Sequence, residues 1–257
     1  MLVAAAVLPH PPLLIPAVAG DAAGELDELR RGCDAAIGRV MESNPDGVLV
    51  VGGANEAGTF DAGAVGSLSG FGLAFDVRLP GAPMGGGGAP TGGPAQPELP
   101  LSLAVAAYLL SQFSFATPLR GYAVDHHMSG SKAQYLGAEL AELFPRMAML
   151  VMGDGSACLS AKAPGYIVEG ADAWQQHVNG LFAAADFKAI GQLTEADADR
   201  YWVAGRAAWQ VLSGSATSRS GHDTQAESSQ WAPDIHYANA PYGVQYLVAS
   251  FRRTDEE

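Results

Sequence analysis

Leu2-Val3-Ala4-Ala5-Ala6-Val7-Leu8, closed by Pro9-His10-Pro11-Pro12, and Gly47-Val48-Leu49-Val50-Val51-Gly52-Gly53, opened by the turn Asn44-Pro45-Asp46, decide the fold of this chain. Both runs are apolar at nearly every position rather than alternating, which suits strands buried on both faces. Between them Leu26, Leu29, Cys33, Ile37 and Val40 recur at helical spacing, with Asp21 as the expected cap of a helix reaching residue 43. Strand, helix and strand inside about fifty residues form a βαβ unit, and that unit demands a parallel sheet.

The remainder continues the alternation. Residues 71–79 read as an outer strand, 99–113 as an apolar helix and 119–124 as a third core strand. A helix over 131–144 leads to a fourth strand at Met147–Met152, and helices follow over 171–185 and 194–212. Thr194 and Asp197 have capping-box spacing at the start of the last helix. Residues 213–230 are polar and loop-like, and 244–251 form a final strand. Residues 81–97 hold seven glycines and four prolines, a composition with little to bury, and read as a flexible surface loop. Its four consecutive glycines lack the Gly-Lys-Ser/Thr that a phosphate loop needs. With no repeat and no linker, residues 1–257 form one α/β domain, its central sheet mostly parallel or mixed and flanked by helices.

Composition narrows the function classes. Of 257 residues 48% are apolar and only 16% are charged, below the roughly 25% of an average soluble protein, so global disorder is excluded. A net charge of −13 repels phosphate backbones and argues against nucleic acid as a partner. Cys33 and Cys158 are too far apart for a CxxC pair and read as small buried hydrophobes. No Lys or Arg precedes Arg30, and Pro9, Pro11, Pro12 and Pro16 interrupt the apolar start, unlike a secretory signal. No stretch of about 18 apolar residues suggests a membrane span. A cytoplasmic protein with no membrane partner is expected.

Ligands of α/β sheets bind beyond the carboxyl ends of the strands. Four strand ends carry polar groups here: His10 after the first, Asn55 and Glu56 after the second, Asp125, His126 and His127 at the third, Asp154 and Ser156 after the fourth. Parallel neighbours would bring them to one rim. Asp125 beside His126 is the pairing that orients an imidazole for acid/base work. Gly155-Ser156-Ala157 lacks the Gly-x-Ser-x-Gly of a nucleophile elbow. His177 falls mid-helix and should face solvent, whereas His222 sits in a polar loop and His236 near the last strand.

Taken together, AAVLPHPPLLIP, LVVGG, VDHH, LVMGDGSA and APYGVQYLVASF resemble, in order and over nearly the whole chain, the class III extradiol ring-cleavage dioxygenase superfamily, which includes protocatechuate dioxygenase β-subunit-like and Memo-like proteins. The resemblance implies a single α/β domain and, in catechol-cleaving members, a non-haem Fe(II) held by two histidines and one carboxylate. On it His10 matches the first iron ligand and His126 a substrate-pocket histidine. The second ligand histidine is expected in a Ser-Pro-His turn where Gly52-Gly53-Ala54-Asn55 stands, and an acid/base histidine is absent from Gly155-Ser156-Ala157-Cys158-Leu159-Ser160. The late carboxylate has no match in Ala238-Asn239-Ala240-Pro241-Tyr242. Glu56 or Asn55 is the replacement oxygen donor on offer, and His127 or His236 a replacement imidazole.

Three readings follow. The scaffold has lost standard Fe(II) ring cleavage and keeps a small-molecule cleft; or it is an active metal-dependent dioxygenase, with Fe(II) or another divalent cation on His10 and Glu56 and with His126 and Asp125 as catalytic pair; or it is a metal-independent hydrolase using Asp154 and His126. Tyr201, Trp202 and Trp209 on the 194–212 segment suit core packing, with a homodimer face as their other use.

Overall fold

The computed structural model describes residues 1–81, 98–114, 116–218 and 230–254. In chain order the strands are β1 (Leu2–Leu8), β2 (Gly47–Ala54), β3 (Gly58–Asp61), β4 (Val65–Ser67), β5 (Asp76–Arg78), β6 (Leu119–Asp125), β7 (Met147–Met152), β8 (Trp231–Asn239) and β9 (Tyr246–Arg253). The helices are α1 (Pro16–Ala19), α2 (Asp27–Met41), α3 (Leu101–Leu110), α4 (Gly130–Leu140), α5 (Ala171–Ala183), α6 (Phe187–Ile190), α7 (Glu195–Tyr201) and α8 (Arg206–Thr217).

Seven strands form one mixed sheet in the order β3-β6-β2-β7-β1-β9-β8. The four central strands β6, β2, β7 and β1 are parallel, while β3, β9 and β8 pair antiparallel at the flanks. Both faces are buried, as the apolar runs require. Ala6, Leu8, Val48, Val50, Leu150 and Met152 pack beneath α2 and α3 in one core layer. Ala5, Val7, Leu49, Val51, Met149 and Val151 pack beneath α4, α5 and α8 in the other. The expected single α/β domain with a mixed sheet between helices is the architecture observed. Cys33 and Cys158 are buried and free. Among the described residues no helix is long and apolar enough to cross a membrane.

Several elements depart from the sequence reading. Gly20–Leu26 is a 3-10 helix, so Asp21 does not cap α2, and Leu26 stands at its N-cap position instead. The outer strand expected over 71–79 shrinks to β5, which pairs with β4 in a separate two-stranded sheet. The helix expected over 194–212 is two helices: Trp202 adopts a left-handed φ of 52° and ends α7, and α8 restarts at Arg206. Thr194 does cap α7, its Oγ1 accepting the Asp197 N–H at 3.1 Å. Residues 213–217, expected as loop, complete α8, and β8 follows where no strand was expected. The Gly/Pro-rich segment, apart from Gly81, and His222 lie outside the described residues.

Candidate functional site

The parallel strands β1, β7, β2 and β6 end side by side, with Leu8 opposite Met152 and Ala54 opposite Asp125. Their carboxyl ends therefore deliver His10, Asp154, Asn55 and His126 to one rim, the placement expected for ligand-binding loops. Within it, the structure draws three groups together.

His10 is buried between its prolines. Its backbone N–H donates to Asp154 Oδ1 at 2.8 Å, which ties the first rim loop to the fourth. The same oxygen stands 3.8 Å from His10 Nδ1, beyond hydrogen-bond range, and Nδ1 is buried with no hydrogen-bond partner. Asp154 is anchored from the other side, because its carbonyl accepts the Gly205 N–H at 2.9 Å.

His126 is half-buried and lies against Gly53 at the end of β2. A Cβ at Gly53 would stand 2.5 Å from His126 Cε1 and 2.6 Å from Nδ1, so only glycine leaves room for this ring. Burial, then the nearby His10 and His127, push its pKa below the ordinary histidine value against the pull of Asp125 and of the Ala204 backbone. A histidine lowered in this way is mostly neutral at pH 7, and a neutral imidazole carries one donor and one acceptor nitrogen. The expected partnership with Asp125 takes another form. Asp125 Oδ1 accepts the backbone N–H of His127 at 2.8 Å, a local turn, so its carboxylate acts on the His126 ring through charge, raising its pKa.

The depressed histidine pKa has a checkable consequence. The unfolded chain, with histidine near 6.5, takes up the proton before the folded one does, so stability present above pH ~6.5 falls as pH drops toward the folded pKa. His236, also lowered chiefly by burial, acts in the same direction. Urea unfolding at pH 7.5 and 5.0 should show this loss, and His126→Gln should reduce it; an NMR titration placing His126 at or above 6.5 would contradict it.

The remaining expected site residues are exposed, committed to other contacts or distant from the rim. Asn55, Glu56 and His127 are exposed on the turns after β2 and β6. Ser156 is fully buried: its hydroxyl donates to the Tyr201 carbonyl at 3.0 Å and accepts the Cys158 N–H, and its N–H donates to Gln175 Oε1. That is a structural hydroxyl, not a nucleophile facing a cleft. His236 lies within edge strand β8, sharing a 2.8 Å hydrogen bond with Ser250 Oγ, and His177 is exposed on α5, as its mid-helix position suggests. Among the described residues no three His, Cys, Asp or Glu side chains stand where they could hold a metal ion.

Residues the sequence did not mark complete the rim. Arg206, buried at the start of α8, donates from Nη2 to the His126 carbonyl at 2.7 Å and from Nη1 to Met128 O at 2.9 Å and Gln210 Oε1 at 2.7 Å. Trp209 is fully buried one turn later, its Nε1 without a hydrogen-bond partner. Cβ atoms at Gly153 or Gly205 would come within 2.7 and 2.8 Å of that nitrogen, so both glycines are required by the indole. Tyr246 is buried at the start of β9, its phenol pushed up by burial and then by the Asp154 charge. The aromatic residues of the 194–212 segment do not share a face, since Tyr201 and Trp209 are core and Trp202 is exposed. Only the small residues Ala204 and Gly205 between two helices hinted at this close packing.

No protein-family model matches the chain, and no curated protein matches it. Among solved structures the chain is similar to uncharacterized protein JW3007 from Escherichia coli K12, at 12% sequence identity, over 97% of this chain and 99% of that one, with a TM-score of 0.57. At that identity the likeness speaks to fold alone, which the two chains share over nearly their whole lengths.

Proposed function

We propose that the chain is a divergent extradiol-dioxygenase-like protein that has lost standard Fe(II) ring cleavage and keeps the rim of His10, His126 and Asp154 as a small-molecule binding site. One observation carries this reading. Gly53, at the end of β2, belongs to the Gly52–Asn55 stretch where the family resemblance expects the second iron-binding histidine, and here it seats the His126 imidazole so closely that a side chain would collide with the ring. The position has been given over to holding a neutral histidine. Such a rim offers an imidazole acceptor, the Asp154 carboxylate and the ring of His10, which together suit a neutral or cationic ligand presenting hydrogen-bond donors. The net charge of −13 favours the same class.

The test combines metal and ligand. The chain and its His10→Ala variant are loaded with Fe(II) anaerobically, desalted and assayed for metal, then supplied with catechol and oxygen. Metal well below one equivalent in both, no oxygen uptake, and a catechol-dependent rise in melting temperature that His126→Ala removes are the expected results. One equivalent of iron lost in His10→Ala, with oxygen uptake by the native chain, would establish the metal-dependent dioxygenase instead.

A further inference from the structure

Three of the four most exposed large apolar side chains among the described residues sit on two segments that run side by side: Tyr166 at 72%, Ile167 at 69% and Trp202 at 57% exposure. Main-chain hydrogen bonds join the segments. The Ala157 N–H donates to the Tyr201 carbonyl at 3.1 Å, and the Gly165 N–H donates to the Ala157 carbonyl at 3.0 Å. A Cβ at Gly165 would stand 3.2 Å from Trp202 Cδ2, so the indole lies against the residue that precedes Tyr166. Farther along, Arg200 Nη2 donates to the Glu169 carbonyl at 3.3 Å. This surface adjoins the rim without being part of it: three residues after Trp202, the Gly205 N–H donates to the Asp154 carbonyl.

Folding alone does not account for these side chains. Tyr166 and Trp202 both adopt left-handed backbone, with φ of 56° and 52°, where a bulky residue is strained and glycine is not. A ring that stays mostly in water returns little burial energy to offset that strain. Backbone strain held by its surroundings gathers at functional positions, and contiguous exposed apolar surface marks sites of interaction. Both signs fall on the same two aromatic residues.

We propose that Tyr166, Ile167 and Trp202 dock a basic polypeptide segment that carries apolar side chains between its lysines or arginines. Charge selects this partner. Glu195, Asp197 and Asp199 on α7 and Glu169 and Asp172 after Ile167 set five carboxylates against Lys162 and Arg200. Asp197 accepts the Thr194 hydroxyl and Asp172 the Gln176 amide, bonds that orient the carboxylates without cancelling their charge. Arg200 lies 5.2 Å from the Tyr201 ring centroid, besides its bond to the Glu169 carbonyl. A second copy, also at −13, would bring like charges together, and an anionic membrane is repelled in the same way. A cationic segment is attracted, and its apolar side chains bury against the rings while its cations lie over the aromatic faces or beside the carboxylates.

The test is isothermal titration at about 0.15 M salt, where exposed charges more than a Debye length apart are screened. The probes are the capped peptide Arg-Lys-Leu-Leu-Lys-Arg and its equally charged counterpart Arg-Lys-Gly-Gly-Lys-Arg. The native chain is expected to bind the leucine peptide saturably and about tenfold or more tightly than the glycine peptide. Trp202→Gly and Tyr166→Gly place glycine where the backbone is left-handed, so each should keep or raise the melting temperature while weakening the leucine peptide about tenfold. Glu195→Gln/Asp199→Asn should weaken both peptides. Equal affinity for the two peptides, absence of binding by the native chain, or undiminished binding by Trp202→Gly overturns the proposal. Sedimentation of the native chain supplies a further check: a dimer that Trp202→Gly splits would give the surface to a second copy and overturn it as well.

Discussion

Gly214→Ala is expected to destabilise the protein by about 3 kcal/mol or more, the upper range for overpacking a close-packed core. Helices α4 and α8 touch backbone to backbone. A Cβ at Gly214 would stand 1.9 Å from the Gln134 carbonyl oxygen, and one at Gly137 would stand 2.0 Å from the Val211 carbonyl oxygen. Because both obstacles are main chain, no rotamer change relieves them, and the helices must separate. Separation would also stretch the 2.7 Å hydrogen bond from Ser215 Oγ to Gly137 O. Alanine gains up to about 1 kcal/mol of helix propensity over glycine, too little to offset the collision. The matching control is Gly38→Ala in α2, where nothing lies within 4 Å of the added carbon. There the propensity gain acts alone, and stability should hold or rise. For a chain of this length a loss of 3 kcal/mol lowers the melting temperature by roughly 6–12 °C. Urea and thermal unfolding of both variants decide the matter: equal behaviour of Gly214→Ala and Gly38→Ala would mean that the two helices do not meet as described.

These glycines also show what the sequence conceals. The central parallel strands were legible because burial on both faces leaves an unbroken apolar run, and β1, β2 and β7 fall where the runs stand. Strand β8 was not legible, since it is an edge strand with mostly exposed or half-buried residues and no apolar alternation to betray it. The break between α7 and α8 escaped for a different reason. Trp202 has no intrinsic preference for the left-handed region, and tertiary packing around Ala204 and Gly205 overrides its propensity. The rim followed from topology: parallel neighbours must end together, which brings His10, Asp154 and His126 to one edge. Hydrogen-bond partners did not follow. Asp125 is adjacent to His126 in sequence, yet a carboxylate at a strand end satisfies the nearest free N–H, that of His127. Arg206 gave no signal at all, because an arginine in a helix usually reads as solvated surface.

Arg206→Met should therefore have two separable effects, one on stability and one on the rim. The guanidinium is buried, and burial pulls its pKa below the ordinary arginine value while Glu195, Asp199 and Asp125 oppose that shift. Its three acceptors are the His126 carbonyl, the Met128 carbonyl and Gln210 Oε1. Methionine fills much of the volume but donates nothing. Each buried acceptor left unpaired costs about 1–3 kcal/mol, partly offset because a buried charge no longer has to be desolvated. Gln210 keeps its bonds to the Gly191 and Leu193 carbonyls, so the two loop carbonyls bear most of the loss. A net destabilisation of about 2–4 kcal/mol is expected on these magnitudes. The second effect is positional. Arg206 pins the carbonyls of His126 and Met128 to the start of α8, which holds the His126 ring in its half-buried place. With that pin removed the imidazole should move into water and its pKa should rise toward the ordinary value near 6.5, a change that NMR titration detects in the folded variant. Arg206→Lys retains charge but reaches fewer of the three acceptors at once, so it should fall between the native chain and Arg206→Met in both measurements. A stability loss with an unmoved His126 titration would confine Arg206 to the core. A shift in both, graded from lysine to methionine, would make it the residue through which α8 positions the rim.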